Sequence, residues 1–339
     1  AGPATGDALA RHAGLTRAAV WKRIEALREA GVPIEAKPGR GYVLAAPMQL
    51  LAADAIEGDL SPATRARLAA LEVAWSVDST NTRLLACDVP DEGLALALLA
   101  ERQTGGRGRR GRLWASPLGA HVYLSLARGF AGGLGRLGGL SLVAGIATAE
   151  ALHAMGARTV RLKWPNDLVV VTDDGLRKLG GLLVEGGGEH AGPVRAVIGL
   201  GINVRMPAAQ ARQIDQPWCD LATLLGSADR NAVAAAVLDR LVPALDQFDA
   251  EGLAPFLSRY AALDALAGQP VTLIAPSGTR EAVALGLADD GALRVRLPDG
   301  LGTEILSHMK TQHRSERSIV ITAHGSAENA VESLKAGAF

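Results

Sequence analysis

The sequence predicts an α+β protein built from several domains, and three observations lead to this fold class. The 339 residues, 48% of them hydrophobic, suffice for more than one core. A long middle part alternates strand-like and helical runs, which is typical of a mixed sheet covered by helices. A short helical unit precedes it, and short strands separated by turn residues follow it. We expect domain boundaries at 1–46, 48–265, 266–298 and 299–339.

Residues 7–44 match the pattern of a winged helix-turn-helix DNA-binding domain. A short helix ends at Gly14, Thr16 caps a second helix, and a hairpin follows as the wing. The second helix carries candidate DNA contacts at Arg17, Trp21, Lys22 and Arg23. A helical hairpin that merely carries charges outward is the alternative, but it does not account for the wing. No segment before residue 7 is long enough for the usual first helix, so we predict a truncated domain and assign operator DNA binding to the full-length parent.

The other parts contain their own candidate elements. In the middle part, predicted strands cover residues 94–101, 122–126, 160–163, 168–171, 182–185 and 194–198, with longer helices near 137–155 and 228–249. After residue 269, short strands at 271–275, 282–287 and 292–297 predict a small all-β barrel.

Charge and cysteine content exclude several classes of protein. Acidic and basic residues number 35 each, so overall charge predicts neither nucleic-acid nor membrane binding, and any anion site has to be local. Cys87 and Cys219 match no metal or redox spacing, so we expect reduced thiols in a cytoplasmic protein. The sequence contains no signal peptide and no uncharged apolar stretch of about 18 residues, so we expect no membrane span.

The string GGRGRRGRLW at residues 105–114, here called the arginine–glycine loop, is the strongest single signal. Its glycines allow close backbone approach, and its arginines offer forked donors to phosphate or carboxylate oxygens. An RNA-binding arginine–glycine tract is the alternative, but such tracts repeat over longer disordered stretches. The loop is neither a P-loop nor a dinucleotide fingerprint. We interpret it as a phosphate-handling loop at a strand end.

Four weaker motifs accompany this loop. Residues 163–167 read Lys-Trp-Pro-Asn-Asp at a strand end, where an ordinary turn is the alternative. Residues 177–181 place a lysine at the entrance of a predicted strand, where it could neutralise a carboxylate–phosphate junction, although a lone lysine is usually just solvated. Residues 199–204 form a glycine-bracketed strand end that allows close ligand approach. Residues 78–81 place hydroxyl and amide groups at a helix start, where they also suit a simple N-cap.

In this order, the segments resemble the biotin–protein ligase family over about residues 7–297. The strings GGRGRRGRLW, KWPNDL, RKLGGLLVE and GLGINV are specific to that family. The helix-turn-helix resembles the bifunctional class, which also represses biotin-synthesis genes. The resemblance implies a catalytic domain of the biotin/lipoate ligase type and a truncated SH3-like C-terminal barrel. It further implies biotin, ATP and Mg²⁺ as ligands, the biotin carboxyl carrier protein of acetyl-CoA carboxylase as acceptor, and a homodimer.

The resemblance also implies roles for the matching residues. Biotin would contact Ser79, Thr80, Asn81, Gln103, Gly106, Arg107, Gly108, Arg109, Lys178, Gly199 and Gly201. The nucleotide would contact Arg109, Arg112, Trp114, Asn166, Lys178, Asn203 and Trp218. The candidate catalytic residues are Arg107, Arg109 and Lys178, with Lys178 bridging the biotin carboxylate and the α-phosphate. For Asp167, a structural role and a role in acceptor-lysine or metal handling both stay open, and the metal ligands are unassigned.

The sequence offers no convincing nucleophile–base pair, since His121, His153 and His190 are scattered. The implied reaction needs none, because the biotin carboxylate attacks ATP directly and catalysis consists of positioning and electrostatic stabilisation. Two alternative functions would account for only some of these motifs. A lipoate–protein ligase would lack the helix-turn-helix and KWPNDL, and a non-catalytic biotin-sensing repressor would not need the arginine–glycine loop and Lys178.

The chain departs from the family pattern after about residue 296. Residues 299–339 resemble part of a response-regulator receiver domain in which Thr322 matches the switch position. The phospho-acceptor aspartate would fall at Arg294, so we predict no signalling function. We interpret the segment as a junction between two unrelated coding sequences that packs poorly against the rest. A divergent barrel end is the alternative.

Overall fold

The structure is a computed structural model that describes residues 2–45, 48–88, 90–131, 133–188, 194–212, 214–275 and 278–297. Within these ranges the chain forms an N-terminal helical unit, a large central α/β domain and a small C-terminal sheet. The α+β class predicted from the sequence is confirmed.

The N-terminal unit consists of two helices and a hairpin: α1 (Gly6–Ala13), α2 (Arg17–Glu29), β1 (Ile34–Lys37) and β2 (Gly41–Leu44). Gly14 ends α1 in the left-handed conformation, at φ 64°, and Thr16 caps α2 by accepting a hydrogen bond from the Ala19 amide at 3.2 Å. Val20 and Ile24 are buried against α1. Residues 2–45 contain these two helices and no third one, and the truncation of this domain stays a prediction.

The central domain is built on a seven-stranded sheet in the order β3-β4-β5-β9-β8-β7-β6. Its strands are β3 (Leu68–Ala74), β4 (Ala95–Ala100), β5 (Val122–Phe130), β6 (Val160–Lys163), β7 (Asp167–Thr172), β8 (Gly175–Gly188) and β9 (Val194–Ile202). Only β3 and β4 run parallel, and all other neighbouring strands are antiparallel. The central helices are α3 (Ala53–Asp59), α4 (Pro62–Arg65), α5 (Thr80–Leu85), α6 (Leu140–Ala154), α7 (Ala208–Ala211), α8 (Leu221–Leu225), α9 (Arg230–Glu251) and α10 (Ala254–Leu263).

The two faces of this sheet are covered very differently. Strand residues such as Leu124 and Ile198 join the main core with α6, α9 and α10. Because side chains alternate along a strand, their neighbours point to the opposite face, where Leu84 of α5 packs on Ala127 and Val197. In the described part of the chain, the helix packed on this second face is the short α5.

The N-terminal unit rests on the central domain at the end of α2. The Ala30 carbonyl accepts a hydrogen bond from the Leu118 amide at 2.8 Å, and the two residues share a small core with Val32. Gly31, at φ 98°, has no space for a side chain, because an added Cβ would lie 2.8 Å from Pro117. Leu118 follows the arginine–glycine loop closely, so the DNA-binding unit abuts the segment that leaves this loop.

A buried ion pair lies beneath this junction. Arg230 Nη1 is 2.7 Å from Glu101 Oε2, and the two side chains are 4% and 3% exposed. Arg230 also donates to the backbone carbonyls of His121 and Gln49. The pair thus ties helix α9 to the end of β4 and to the segment that leads from the N-terminal unit.

His121 is buried beside this pair, and burial together with the nearby Arg230 charge lowers its pKa from 6.5 to about 3. The folded protein therefore excludes a proton that the unfolded chain binds below about pH 6.5, so stability falls as the pH decreases through this window. We expect His121 to contribute a slope of about 1.4 kcal/mol per pH unit between about pH 6 and pH 4. Chemical denaturation of the wild type and of His121→Asn at several pH values measures it. The exposed His12→Asn is the control, and parallel pH profiles for all three proteins would contradict the expectation.

The C-terminal part is a three-stranded antiparallel sheet of β10 (Pro270–Ala275), β11 (Gly278–Leu287) and β12 (Leu293–Arg296). The strands predicted at 271–275, 282–287 and 292–297 are confirmed. The sheet contacts the central domain through the Trp164 indole, which donates to the Gly291 carbonyl at 3.0 Å. Residues 299–339, predicted to be receiver-like and poorly packed, lie outside the described residues. None of the described helices combines the length and apolar character needed to cross a membrane.

Candidate active site

The candidate site lies on the sheet face that carries α5. Its floor is a row of small residues on three adjacent strands, since Ser125 pairs with Gly199 and Gly181 pairs with Gly201. Residues paired directly across strands share a face, so these small positions lie side by side on one face, where Tyr123 and Leu183 border them. An added Cβ at Gly201 would lie 2.7 Å from the Trp114 ring, and one at Gly199 would collide with the Asn81 amide oxygen. Glycine is therefore required at both positions.

The start of α5 forms one wall of the site. Ser79 is the N-cap and accepts from the Thr82 amide at 3.4 Å, so the simple cap expected from the sequence is present. Thr80 donates from its backbone amide to Gln103 Oε1 at 2.9 Å, and its hydroxyl lies 3.1 Å from the same oxygen. Ser79, Thr80 and Asn81 are all buried. The structure thus brings these predicted biotin-contacting residues together with Gln103.

The arginine–glycine loop forms a small ordered hairpin over the site. Arg107 and Leu113 form an isolated β-bridge, and the Gly108 amide donates to the Arg112 carbonyl at 2.7 Å. A single 3₁₀ turn at Arg109–Gly111 closes the tip. Arg109 and Arg112 are exposed, and Leu113 is 91% exposed. The tip therefore presents cations to solvent, while the residues at the two ends of the loop, Arg107 and Trp114, contact the rest of the site.

Arg107, at the first end, is not a free cation. Its guanidinium donates to both oxygens of Glu185 at 3.0 and 3.1 Å and to the Thr82 hydroxyl at 2.7 Å. The sequence analysis assigned Arg107 to anion binding, and in the structure its charge is already matched by a carboxylate. Arg109, Arg110 and Arg112 are the loop arginines that the structure leaves exposed, and two of them, Arg109 and Arg112, were predicted site residues.

Trp114, at the other end, folds down onto the floor. Its ring covers Gly201, and the Lys178 ammonium lies 5.4 Å from the ring centroid, within the range of a cation–π contact. The Trp114 indole N–H is buried and has no hydrogen-bond partner among the described residues. A buried donor of this kind stabilises the protein more once an acceptor reaches it.

Lys178 is held from several directions. Its ammonium lies 2.8 Å from Asp167 Oδ1, and its backbone pairs with the segment around Trp218. The sequence analysis placed Lys178 at the entrance of a strand over 182–185. That placement was wrong, because β8 starts at Gly175 and Lys178 lies inside it at a β-bulge against β7. The bulge changes the register locally and thereby directs the side chain toward Asp167 and Gly181.

Asn203 and Asn166 brace the strands that carry these groups. The buried Asn203 amide donates to the backbone carbonyl of Cys219 at 3.1 Å and lies 3.4 Å from that of Lys178. The Asn166 amide donates to the Leu182 carbonyl at 2.6 Å, after a cis peptide bond between Trp164 and Pro165. Both residues were predicted to hold the nucleotide. Their amide groups engage the backbone here, and nucleotide contact stays a prediction.

The predicted DNA contacts, the metal ligands and the histidines can each be compared with the structure. The candidate DNA contacts are all exposed on α2: Arg17, Trp21, Lys22 and Arg23. Among the described residues, no group of three or more His, Cys, Asp or Glu side chains could hold a metal ion by itself. Of the three histidines considered from the sequence, His121 is fully buried with a lowered pKa and cannot reach a ligand at the site. His153 contacts the Val160 carbonyl, and His190 lies outside the described residues.

Sequence reasoning missed three residues of this network: Thr82, Ser125 and Glu185. Ser125 Oγ lies 2.7 Å from Thr80 Oγ1 and 2.6 Å from Asn81 Oδ1. Glu185 accepts from Asn81 as well as from Arg107. A signal for Glu185 was available, since it ends the string RKLGGLLVE and strand alternation places it on the same face as Gly181.

Family models match three parts of the chain. The Biotin/lipoate A/B protein ligase family matches residues 73–203, an HTH domain matches residues 1–43, and the Biotin protein ligase C terminal domain matches residues 267–316. The first of these covers α5, the arginine–glycine loop, Lys178 and the three glycines of the floor. The last extends through 299–316, which the sequence analysis assigned to the receiver-like fragment, so the predicted boundary at 298 and the junction hypothesis stay predictions.

A short match also bears on that fragment. A stretch of 45 residues is 42% identical to the response regulator protein PilR of Pseudomonas aeruginosa, and it covers 13% of this chain and 10% of that protein. So small a share supports the receiver resemblance only weakly.

Several relatives match most of the chain. The bifunctional ligase/repressor BirA of Salmonella typhimurium is 41% identical over 289 residues, which cover 85% of this chain and 87% of that protein. BirA of Bacillus subtilis is 28% identical over 303 residues, 88% of this chain and 90% of that protein. The solved biotin protein ligase from Aquifex aeolicus in complex with biotin and ATP has a TM-score of 0.55 and 29% identity over 67% of this chain and 91% of that one. The chain therefore belongs to the biotin–protein ligase family.

Proposed function

We propose that this chain joins biotin to AMP with the use of ATP and then transfers the biotinyl group to a lysine of the biotin carboxyl carrier protein of acetyl-CoA carboxylase. The observation that carries the proposal is the convergence of Lys178, Trp114 and Asn203 with a glycine floor and the polar wall at Thr80. A flat floor suits a fused-ring ligand, hydroxyl and amide groups suit a ureido group, and cations suit a carboxylate and phosphates.

In the first reaction, a carboxylate oxygen of biotin attacks the α-phosphorus of ATP. One P–O bond forms, the bond to pyrophosphate breaks, and no proton transfer is required. Negative charge on the transferring group is met by Lys178 and by the exposed Arg109 and Arg112. Preorganised cations of this kind commonly make the largest contribution to such a reaction. The buried indole N–H of Trp114 is a further donor close to Lys178.

Mg²⁺ fits this site together with the nucleotide rather than as a resident ion. Magnesium usually binds one or two carboxylates, water and substrate phosphates. Asp167, beside Lys178, is the carboxylate that would hold it. When bound, the ion would supply neutralisation of phosphate charge.

In the second reaction, a lysine amine of the carrier attacks the acyl carbon of the mixed anhydride. The bond from that carbon to the AMP oxygen breaks, and the proton that the amine loses as the amide forms passes to solvent water. The intermediate hydrolyses readily in water, so the loop hairpin that covers the site also protects it. Trp114, seated on Gly201, forms the part of the loop closest to the floor.

The test is ATP–pyrophosphate exchange with biotin or lipoate, accompanied by transfer to a carrier domain. We expect exchange with biotin and labelling of a biotin carrier, and little exchange with lipoate. Preference for lipoate would assign the chain to the lipoate branch of the same ligase class. Biotin binding without any exchange would instead support a non-catalytic biotin-sensing repressor.

Replacing Arg109 by alanine should release biotinyl-adenylate prematurely. Arg109 is an exposed cation at the loop tip, and losing one charge-assisted contact is expected to raise the dissociation rate on the order of 10- to 100-fold. Stopped-flow or filter-binding measurement of intermediate dissociation gives this rate. Arg158→Ala, which removes an exposed arginine before β6, is the matched control. Equal dissociation rates for Arg109→Ala and the wild type would remove Arg109 from the site.

The helix-turn-helix is proposed to bind operator DNA as part of a homodimer. Trp21 is 54% exposed on α2 beside Lys22 and Arg23, which provides an apolar ring and two cations for a groove. Two-fold operators pair with two-fold dimers in this class of domain. A gel-shift titration with biotin and ATP, beside sedimentation of the same samples, tests both statements.

A further inference from the structure

Glu185 joins three separate segments of the site. Its carboxylate accepts from Arg107 Nη2 at 3.0 and 3.1 Å and from Asn81 Nδ2 at 2.8 Å. Asn81 belongs to α5, Arg107 begins the arginine–glycine loop, and Glu185 stands on β8. The Glu185 and Arg107 side chains are 27% and 33% exposed, so water screens the pair only in part.

These contacts determine the orientation of the Asn81 amide. Glu185 and the Leu183 carbonyl, 3.1 Å from Asn81 Nδ2, can only accept hydrogen bonds, so the amide nitrogen has to face them. The amide oxygen then faces Ser125 Oγ at 2.6 Å. Because this oxygen can only accept, it takes the single hydroxyl proton of Ser125.

The direction of the next hydrogen bond follows. With its own proton given to Asn81, Ser125 can only accept at its 2.7 Å contact with Thr80 Oγ1. The single Thr80 hydroxyl proton is therefore directed to Ser125 and not to Gln103 Oε1, which is farther away at 3.1 Å and already accepts from the Thr80 amide. The Thr80 oxygen keeps a lone pair for a donor from outside the relay. A ureido N–H is such a donor, and a relay of fixed direction binds it better than freely rotating hydroxyls.

We propose that Glu185 is a positioning residue for biotin: it sets the direction of the buried Asn81–Ser125–Thr80 relay and holds Arg107 at the start of the loop. The inference rests on the proposed function and deepens it. It also explains why Arg107 does not compete for the carboxylate and phosphates. Its charge is offset by Glu185, while Lys178, Arg109 and Arg112 serve the anionic part of the ligand.

The test is Glu185→Gln, which keeps the size of the side chain and removes its charge. A glutamine can either donate toward Asn81 or accept from it, so the Leu183 carbonyl alone still fixes the Asn81 amide and the direction of the relay is less strongly set. We expect the Kd for biotin alone and the KM for biotin to rise on the order of 10-fold or more, with the KM for ATP changed less than about two-fold. Isothermal titration and the exchange assay measure these constants.

The matched control is Glu150→Gln. Glu150 holds Arg259 through two hydrogen bonds at 2.9 and 2.6 Å, with side-chain exposures of 31% and 32%, close to those of the Glu185 pair. It lies on α6, on the other face of the sheet, and its variant should bind biotin like the wild type. A biotin Kd for Glu185→Gln equal to that of this control would overturn the proposal. So would a parallel rise in the constants for biotin and ATP.

A double-mutant cycle tests the relay itself. Ser125→Ala removes the middle of the relay, so Glu185→Gln should cost much less biotin affinity in that background than in the wild type. Additive losses would overturn the relay. If Glu185→Gln does not unfold cooperatively, Glu185→Asp replaces it in the same comparison. The shorter aspartate side chain cannot reach both Asn81 and Arg107, so the KM for biotin should again rise. An unchanged KM for biotin in Glu185→Asp would count against the proposal. A wild type that shows no biotin-dependent exchange would refute the proposed function instead.

Discussion

Lys178→Ala is expected to lower kcat for biotin-dependent ATP–pyrophosphate exchange on the order of 100- to 1,000-fold, the usual cost of losing one preorganised group at a developing charge. Lys178 lies 2.8 Å from Asp167 and 5.4 Å from the Trp114 ring centroid, so it is the cation at the centre of the site. Biotin binding should weaken and stay measurable, because the floor and the Thr80 wall do not depend on this side chain.

The control for this prediction is Lys37→Ala. Lys37 is also a paired lysine, 2.6 Å from Glu35, but it lies on the wing of the DNA-binding unit. Its variant should exchange pyrophosphate like the wild type. Asp167→Asn distinguishes the role of Asp167 from that of Lys178. If Asp167 only positions the Lys178 ammonium, this variant should reduce exchange less than Lys178→Ala does. Near-normal pyrophosphate release by Lys178→Ala would contradict the central role of the lysine.

Arg230→Ala is expected to reduce the free energy of unfolding by about 3–5 kcal/mol, because it leaves the buried Glu101 carboxylate without its partner. Both side chains are almost fully buried, at 4% and 3% exposure, and Arg230 additionally satisfies the His121 carbonyl. Urea unfolding followed by circular dichroism measures the loss.

Two comparisons make this stability prediction specific. Arg259→Ala breaks the half-exposed pair with Glu150 and should cost about 0–1 kcal/mol, as surface pairs do. The double variant Arg230→Met/Glu101→Leu removes both buried charges and should recover part of the lost stability. A loss for Arg230→Ala no larger than that for Arg259→Ala would show that the pair is unimportant for folding.

Local sequence signals predicted most of the regular structure. The caps of α1 and α2 came from Gly14 and Thr16, since glycine in the left-handed conformation and a threonine hydroxyl act within a few residues. Strands β4 to β7, β9 and the two long helices lie where apolar runs predicted them, whereas β8 starts at Gly175 and not at the predicted residue 182. Edge strand β3 was missed because its burial is irregular. Helix α10 was missed although most of its residues are apolar, since no side-chain cap marks its start.

The site was predictable as a set of residues but not as a network of contacts. The motif strings predicted Lys178, Asn81 and Arg107 as members of one site, because motif order along the chain identifies the family. Their partners Asp167, Ser125 and Glu185 come from other strands at sequence distances of 11, 44 and 78 residues. No local pattern records such pairings.

By itself, the sequence determined the α+β class, the helix-turn-helix, the family and the motif-bearing residues, since helix caps, strand alternation and motif order depend on nearby residues. Only the tertiary structure decided which charges are free. Strand register brings Glu185 to Arg107 and a β-bulge directs Lys178 to Asp167, so the two cations closest to the floor are already paired. The physical reason is that register and bulges are set by packing of the whole sheet, so the charge state of the site arises only when the strands meet.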